Sequence, residues 1–306
     1  MGWLAILLAG LALALFGAWR YAMATNAVFL LDRADRVFGG TAGTRLALQD
    51  GRYGPLAAQR VDVVVPAAPG AQPRPVLVFF HGGSWRSGSP ADYHFIGRTF
   101  ARAGYIVVLA GYRLTPDGAY PHMLQDGAKA VAWTRDNAAR YGGDPDRVIL
   151  IGHSAGAHTA VMLTLERQWL GREGLPEGFV KAAVGLSGPY DFYPFTTDAA
   201  RAAFGHEPDP TVTQPIHFAR GDAAPLLLLT GDADTTVKPR NAKALAAAIA
   251  AQGGTVRTVI VPGANHIDTA VTLAAPFNRD RRVLDHVLAF LSAHGGASAP
   301  VQAAGR

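Results

Sequence analysis

From about residue 59 onward the chain alternates between short apolar runs and longer amphipathic stretches. Strand-like runs fall at 60–65, 76–80, 106–110, 147–151, 182–186, 226–230 and 256–261. Several of them, among them LVFF, VILI and LLLL, are apolar at every position instead of every second one. That pattern suits strands buried on both faces, as in a parallel sheet covered by helices. Helix-like segments lie between them at 93–103, 124–141, 155–169, 238–252 and 281–294, and most stop at a glycine such as Gly104, Gly142, Gly253 or Gly295. Strand–helix alternation of this kind predicts an α/β domain with a doubly wound, mostly parallel sheet, flanking helices and right-handed crossovers. In such sheets ligands bind beyond the carboxyl ends of the strands, so the chemistry is to be sought there.

The N-terminus follows another pattern. Residues 2–19 (GWLAILLAGLALALFGAW) carry no charge, and that length crosses the hydrocarbon core as a helix. Trp3, Trp19 and Tyr21 stand at its ends, where amphipathic rings favour the interface. Residues 1–24 are therefore read as an N-terminal apolar helix that is either a membrane helix or a signal sequence. Ala22-Met23-Ala24 offers a small-x-small cleavage pattern, so export with a cleaved signal peptide stays open. No charged side chain precedes the run, whereas Arg20, Arg33 and Arg36 follow it, which favours an uncleaved anchor with the catalytic domain in the cytoplasm. Residues 25–58, with breakers at Gly39-Gly40 and 51–55, read as a connector. Residues 59–294 read as the catalytic domain, and 295–306 (GGASAPVQAAGR) as a disordered tail.

Composition narrows the chemistry. The 306 residues include no cysteine, which excludes disulfides, thiolate metal sites and cysteine nucleophiles. The net charge of +5 is scattered, with no basic run interleaved with aromatics, so a nucleic-acid partner is not expected. His122, His206, His217, His286 and His294 have no metal-ligand spacing, and neither a phosphate-binding Walker loop nor a dinucleotide fingerprint is present. Oligomeric state has no signature here.

The sharpest motif is Gly152-His153-Ser154-Ala155-Gly156, set between the run VILI and the helical stretch AHTAVMLTLERQW. A serine on a tight strand-to-helix turn thrusts its hydroxyl into the cleft, and side chains at 152 or 156 would collide with neighbouring backbone. The helix behind it aims its first amides at the site, where negative charge develops. Ser154 is the candidate nucleophile. His81-Gly82-Gly83-Ser84-Trp85, at the end of LVFF, suits a loop whose amides bind an oxyanion; Gly82 and Gly83 join Ala155 as candidate donors. His81 is read as a brace for that loop. After a nucleophile elbow the acid and base follow in the order Asp, His. Asp234, past the run LLLL, is the candidate acid, with Asp232 a rival on the same loop, and His266, past VRTVIV, is the candidate base. His153 is expected to pack beside the elbow and His158, one turn along its helix, to pack in the core. Residues 189–222, with Phe192, Tyr193, Phe195 and Phe204, are expected to cap the cleft. Those rings either favour an apolar substrate or simply pack.

At these residues the chain resembles the esterase/lipase branch of the α/β-hydrolase family that carries an HGGxW loop and a GHSAG elbow. It is similar to BD-FAE-type carboxylesterases, kynurenine formamidases and isoprenylcysteine methylesterases. Gly111-Tyr112-Arg113-Leu114, residues 141–145 (YGGDP) and residues 187–191 (SGPYD) agree with that branch, and the likeness runs over about 60–292. It implies an eight-stranded α/β-hydrolase fold, hydrolysis of a small-molecule carboxylic ester through an acyl-enzyme, and no cofactor. Hydrolysis of an aryl formamide by the same triad, a methylesterase acting on prenylated protein C-termini, and a membrane-tethered binding protein without activity are the rival readings. The loop departs from the branch at Ser84, where many members have a third glycine. That leaves the second oxyanion donor open between Gly82 and Gly83.

Overall fold

The computed structural model describes residues 28–295 and, ahead of them, Gly10 alone. Its elements run α1 (Val28–Gly39), β1 (Thr44–Arg52), β2 (Arg60–Pro66), β3 (Arg74–Phe80), α2 (His94–Arg102), β4 (Ile106–Ala110), α3 (His122–Asn137), β5 (Gly143–His153) and α4 (Ala155–Leu165). They continue with α5 (Arg167–Arg172), β6 (Val180–Leu186), α6 (Asp198–Phe204), β7 (Leu226–Gly231), α7 (Arg240–Ala251), β8 (Val256–Val261), α8 (Asp268–Val271) and α9 (Arg282–His294). The strands form one sheet in the order β1-β2-β4-β3-β5-β6-β7-β8, antiparallel at β1–β2 and β2–β4 and parallel from β4 to β8.

The unbroken apolar runs have two sides to fill. In β3, Val76, Val78 and Phe80 face one core, shared with Met123 of α3, Val161 of α4 and Leu245 of α7; Leu77 and Phe79 face the other, shared with Phe95 of α2 and Val287 of α9. Val28 and Leu31 of α1 pack against this second core. The registers bring the strand ends into a row: Phe80 pairs with Gly152, His153 with Leu186, Leu186 with Leu229, and Gly231 with Val261. The loops beginning at residues 81, 154, 187, 232 and 262 therefore rise from one rim.

Residues 25–58, expected as a connector, contain α1 and the edge strand β1. β1 has no buried position and two register shifts against β2, and Asp50 sits at φ 55, so it shows no period-two apolar signal. The helix expected over 155–169 breaks at Glu166, whose ψ of 111 is extended, into α4 and α5. The apolar run 2–19 and the tail beyond 295 lie outside the described residues. Among the described residues no helix is long and apolar enough to cross a membrane.

Candidate active site

The elbow is built by mutual steric exclusion. Ser154 stands between β5 and α4 at φ 53, ψ −119, a conformation that L residues rarely hold, and its N–H donates to the Leu186 carbonyl at 2.8 Å. A Cβ on Gly152 would lie 2.2 Å from the Gly156 carbonyl oxygen, and a Cβ on Gly156 would lie 2.0 Å from that of Phe80. Both positions are thus closed to any side chain, and the serine is pressed outward at the top of β5. Its amide neighbours are those of a helix start, which have no partner within the helix.

Three residues distant in sequence meet at this point. The Ser154 hydroxyl donates to His266 Nε2 at 2.8 Å, and His266 Nδ1–H donates to Asp234 Oδ2 at 2.8 Å. The carboxylate partner fixes the proton on Nδ1 and leaves Nε2 free to accept. Oδ1 of Asp234 accepts the backbone N–H groups of Thr236 (3.0 Å) and Val237 (2.8 Å). Burial pushes the Asp234 carboxyl up, but the hydrogen bond and charge of His266, the Val237 amide and the Ser187 hydroxyl outweigh it and hold the group below the usual carboxylate range. The rival Asp232 is exposed and caps a turn instead, accepting the Gly263 N–H at 2.6 Å.

The glycine loop lies against the elbow. A Cβ on Gly82 would sit 2.9 Å from His153 Nδ1 and 3.3 Å from Ser154 Cβ, and Gly83 has φ 121, open only to glycine. Gly82, Gly83, Ser154 and His266 line one cavity of about 560 Å³. Ser84, standing where the resembled loops carry a third glycine, has φ 54, and Trp85 follows at φ 58. The loop keeps a left-handed turn without that glycine.

The histidines near the site hold it in shape. His81 stacks on Tyr112 at 4.4 Å and donates from Nδ1 to the Gly82 carbonyl at 2.8 Å; burial lowers it to about 4. His153, lowered to about 3 by burial and by its neighbour His266, donates from Nε2 to the His266 carbonyl at 3.1 Å. This ties the base-bearing loop to the elbow. His158 donates to the Thr213 carbonyl at 2.8 Å and packs against Trp85, Phe192 and Phe204; burial lowers it to about 4.

Two contributions were not visible in the sequence. Phe192, Phe195 and Phe204 pack on one another and against Trp85 and His158, and none of them lines the cavity at Ser154. The far wall of the cavity is instead residues 28–31 of α1 together with Ile267, Ala270 and Val271. The second contribution is Ser187, at φ 50 beyond β6, which reaches Thr269 at 3.0 Å and supports Asp234.

A mostly parallel eight-stranded sheet with a serine on a strand-to-helix elbow, and an aspartate and a histidine beyond the next-but-one and last strands, defines the α/β-hydrolase class. Solved structures agree at the level of fold. An inhibited esterase B from Lactobacillus rhamnosis superposes with a TM-score of 0.73 at 20% identity, covering 93% of this chain and 97% of that one. A Pyrobaculum calidifontis esterase gives 0.71 at 21% identity, covering 88% and 90%. Within that class the chain belongs to the BD-FAE family, whose model matches residues 61–249. It is similar to Esterase LipQ of Mycobacterium tuberculosis (32% identity over 246 residues, 73% of this chain and 56% of the relative). It is also similar to the isoprenylcysteine alpha-carbonyl methylesterase ICME of Arabidopsis thaliana (29% over 240 residues, 71% and 55%). The chain spans about half the length of the curated relatives it matches.

Proposed function

We propose that the chain is a serine carboxylic ester hydrolase that works through an acyl-enzyme on Ser154. The observation that carries this reading is the unbroken line from the Ser154 hydroxyl through the His266 ring to the Asp234 carboxylate, 2.8 Å at each joint. His266 Nε2 takes the hydroxyl proton as Ser154 Oγ attacks the ester carbonyl carbon. The oxyanion formed is held by the Ala155 amide and by that of Gly82 or Gly83. On collapse the C–O bond to the alcohol breaks and the leaving oxygen takes the proton from His266. Water then attacks the acyl group, again losing its proton to Nε2, and the acid departs as Ser154 regains its proton. Asp234 stays ionised and steadies the imidazolium. The names of the two relatives, an esterase and a methylesterase, support an ester as the substrate. The apolar cavity wall at residues 28–31 with Ile267, Ala270 and Val271 supports an apolar one.

We also propose, from the N-terminal sequence, that the chain sits at a membrane. Residues 2–19 stay attached as an anchor, and Arg20, Arg33 and Arg36 behind them put the hydrolase domain on the cytoplasmic side. Ser154→Ala is expected to lower p-nitrophenyl butyrate turnover by about 10⁴-fold with an unchanged melting temperature. Turnover near that of the parent would contradict the assignment.

A further inference from the structure

Helix α1 rests Val28 and Leu31 of its first turn partly on the core, but the rest of its polarity is inverted. Toward the domain it turns Asp32 and Asp35, both buried; toward solvent it turns Phe29, Leu30, Val37 and Phe38, the last two 78% and 70% exposed. These four are half of the eight large hydrophobic side chains that stand exposed among the described residues, gathered on one helix of 12 residues. A helix at the surface of a water-bathed domain has the opposite polarity. Buried carboxylates need partners, and Arg98 of α2, itself buried, supplies them. Its Nη2 donates to Asp32 and its Nε to Asp35, each at 2.6 Å, while Asp35 also accepts the Ala275 amide at 2.8 Å. Arg102 adds bonds to the carbonyls of Gly39 and Gly40. The clamp fixes α1 with its apolar side outward.

The chain outside the described residues says what covers that side. Residues 2–19 are uncharged and apolar, and only residues 20–27 join them to Val28. Fully extended, those eight residues reach roughly 29 Å, so α1 stays close to any bilayer that holds the run. The exposed Arg33, and Arg36, which also reaches Asp32 at 3.2 Å, stand beside the apolar side and suit anionic headgroups. Phe29 and Leu30 are at once part of this outward side and part of the wall of the cavity above Ser154.

We infer that α1 lies on the bilayer surface as an interfacial helix and that the cavity over Ser154 opens at that surface. The substrate is then an ester that partitions into lipid and enters with its apolar chain along the first turn of α1. This rests on the proposed ester chemistry and anchor.

The chain has no cysteine, so single labelled cysteines report position cleanly. In the full chain reconstituted into mixed phosphatidylcholine and phosphatidylglycerol vesicles, a polarity-sensitive fluorophore on Phe38→Cys is expected to shift to the blue. Lipids spin-labelled near the headgroup should quench it, while the same probe on Asp146→Cys, at the amino end of β5, stays water-like. Water-like emission from Phe38→Cys in vesicles, or a blue shift already present without lipid because two copies pair there, overturns the inference. Val37→Asp/Phe38→Asp touches neither the cavity lining nor the Arg98 clamp. It is expected to slow hydrolysis of vesicle-embedded 4-methylumbelliferyl palmitate about tenfold, a difference of roughly 1.4 kcal/mol, and to leave soluble p-nitrophenyl acetate unchanged. Equal effects on both esters overturn it. Failure of the ester chemistry would show separately, as acetate hydrolysis surviving Ser154→Ala. Loss of the anchor would show as a shortened intact mass of the membrane-bound chain.

Discussion

Asp234→Asn removes a charge and almost nothing else, and the hydrogen bonds around it decide the outcome. Oδ1 of Asp234 accepts two backbone N–H groups, from Thr236 and Val237. An asparagine at this position keeps its oxygen on those two donors, because the flipped amide would set an NH₂ against two N–H groups and forfeit both bonds. The NH₂ then faces His266 Nδ1, which becomes an acceptor. The ring proton moves to Nε2, and the atom that must accept the Ser154 proton at 2.8 Å now carries one of its own. The productive tautomer is lost together with the charge that stabilises the imidazolium. For triads of this geometry that combination is worth about 10⁴ in kcat, or roughly 5 kcal/mol of transition-state stabilisation. Steady-state kinetics on p-nitrophenyl butyrate at pH 8 measure it, with the melting temperature as control for folding. A kcat within tenfold of the parent, in a protein that melts normally, would refute the reasoning.

Gly156→Ala drives a methyl to 2.0 Å from the Phe80 carbonyl oxygen, with backbone on both sides of the clash. The loss should reach about 3 kcal/mol, the upper end for overpacking, and urea unfolding that finds under about 0.5 kcal/mol contradicts the steric account. Arg98→Met removes the cation shared by the buried carboxylates of Asp32 and Asp35, leaving Asp32 with the exposed Arg36 and Asp35 with the Ala275 amide. A loss of about 3–5 kcal/mol is expected by the same measurement, and one below about 1 kcal/mol would mean that the clamp does not hold α1. His81 and His158, lowered to about 4, and His153, lowered to about 3, are kept neutral by burial in the fold, whereas the unfolded chain binds their protons near 6.5. Their contribution is complete above pH 6.5 and is lost as pH falls toward 4, with a slope of up to about 4 kcal/mol per unit for three protons. Urea midpoints recorded between pH 7 and 4 check this, and a flat profile contradicts it.

Much of the architecture was legible because burial on both faces leaves a blunt mark. Runs such as LVFF and VILI have no polar position, and the strand ends they imply point straight to Ser154, Asp234 and His266. The elbow was legible for a steric reason: residues 152 and 156 touch backbone on all sides, so glycine is the only occupant, and the coordinates return the clash that the spacing implies. Between Asp232 and Asp234, spacing past the strand end favours Asp234 but does not by itself remove its neighbour. Burial and the two amides at 236 and 237 separate them, and those contacts exist only once the loop is folded. α1 was hidden because its polarity is inverted. Its fully buried residues are aspartates whose partner, Arg98, lies more than 60 positions away, so periodicity reads the helix as a broken connector. β1 was hidden because an edge strand with bulges buries no residue fully, Ala47 and Leu48 only half-burying against the core. The aromatic rings of 189–222 posed a different problem. Composition registers that they cluster, but only the folded chain tells rings lining the cavity from rings packed on Trp85 and His158.

The most direct test of the account is to catch the covalent intermediate. The purified chain is treated with a fluorophosphonate, which a serine reacts with only when its base and oxyanion donors are in place, and is then digested with trypsin and analysed by mass spectrometry. The account requires a single adduct on Ser154 within the peptide 148–167, absent after heat denaturation and sharply reduced in Asp234→Asn. An adduct on another residue, or ester turnover that persists with Ser154 fully labelled, would contradict it.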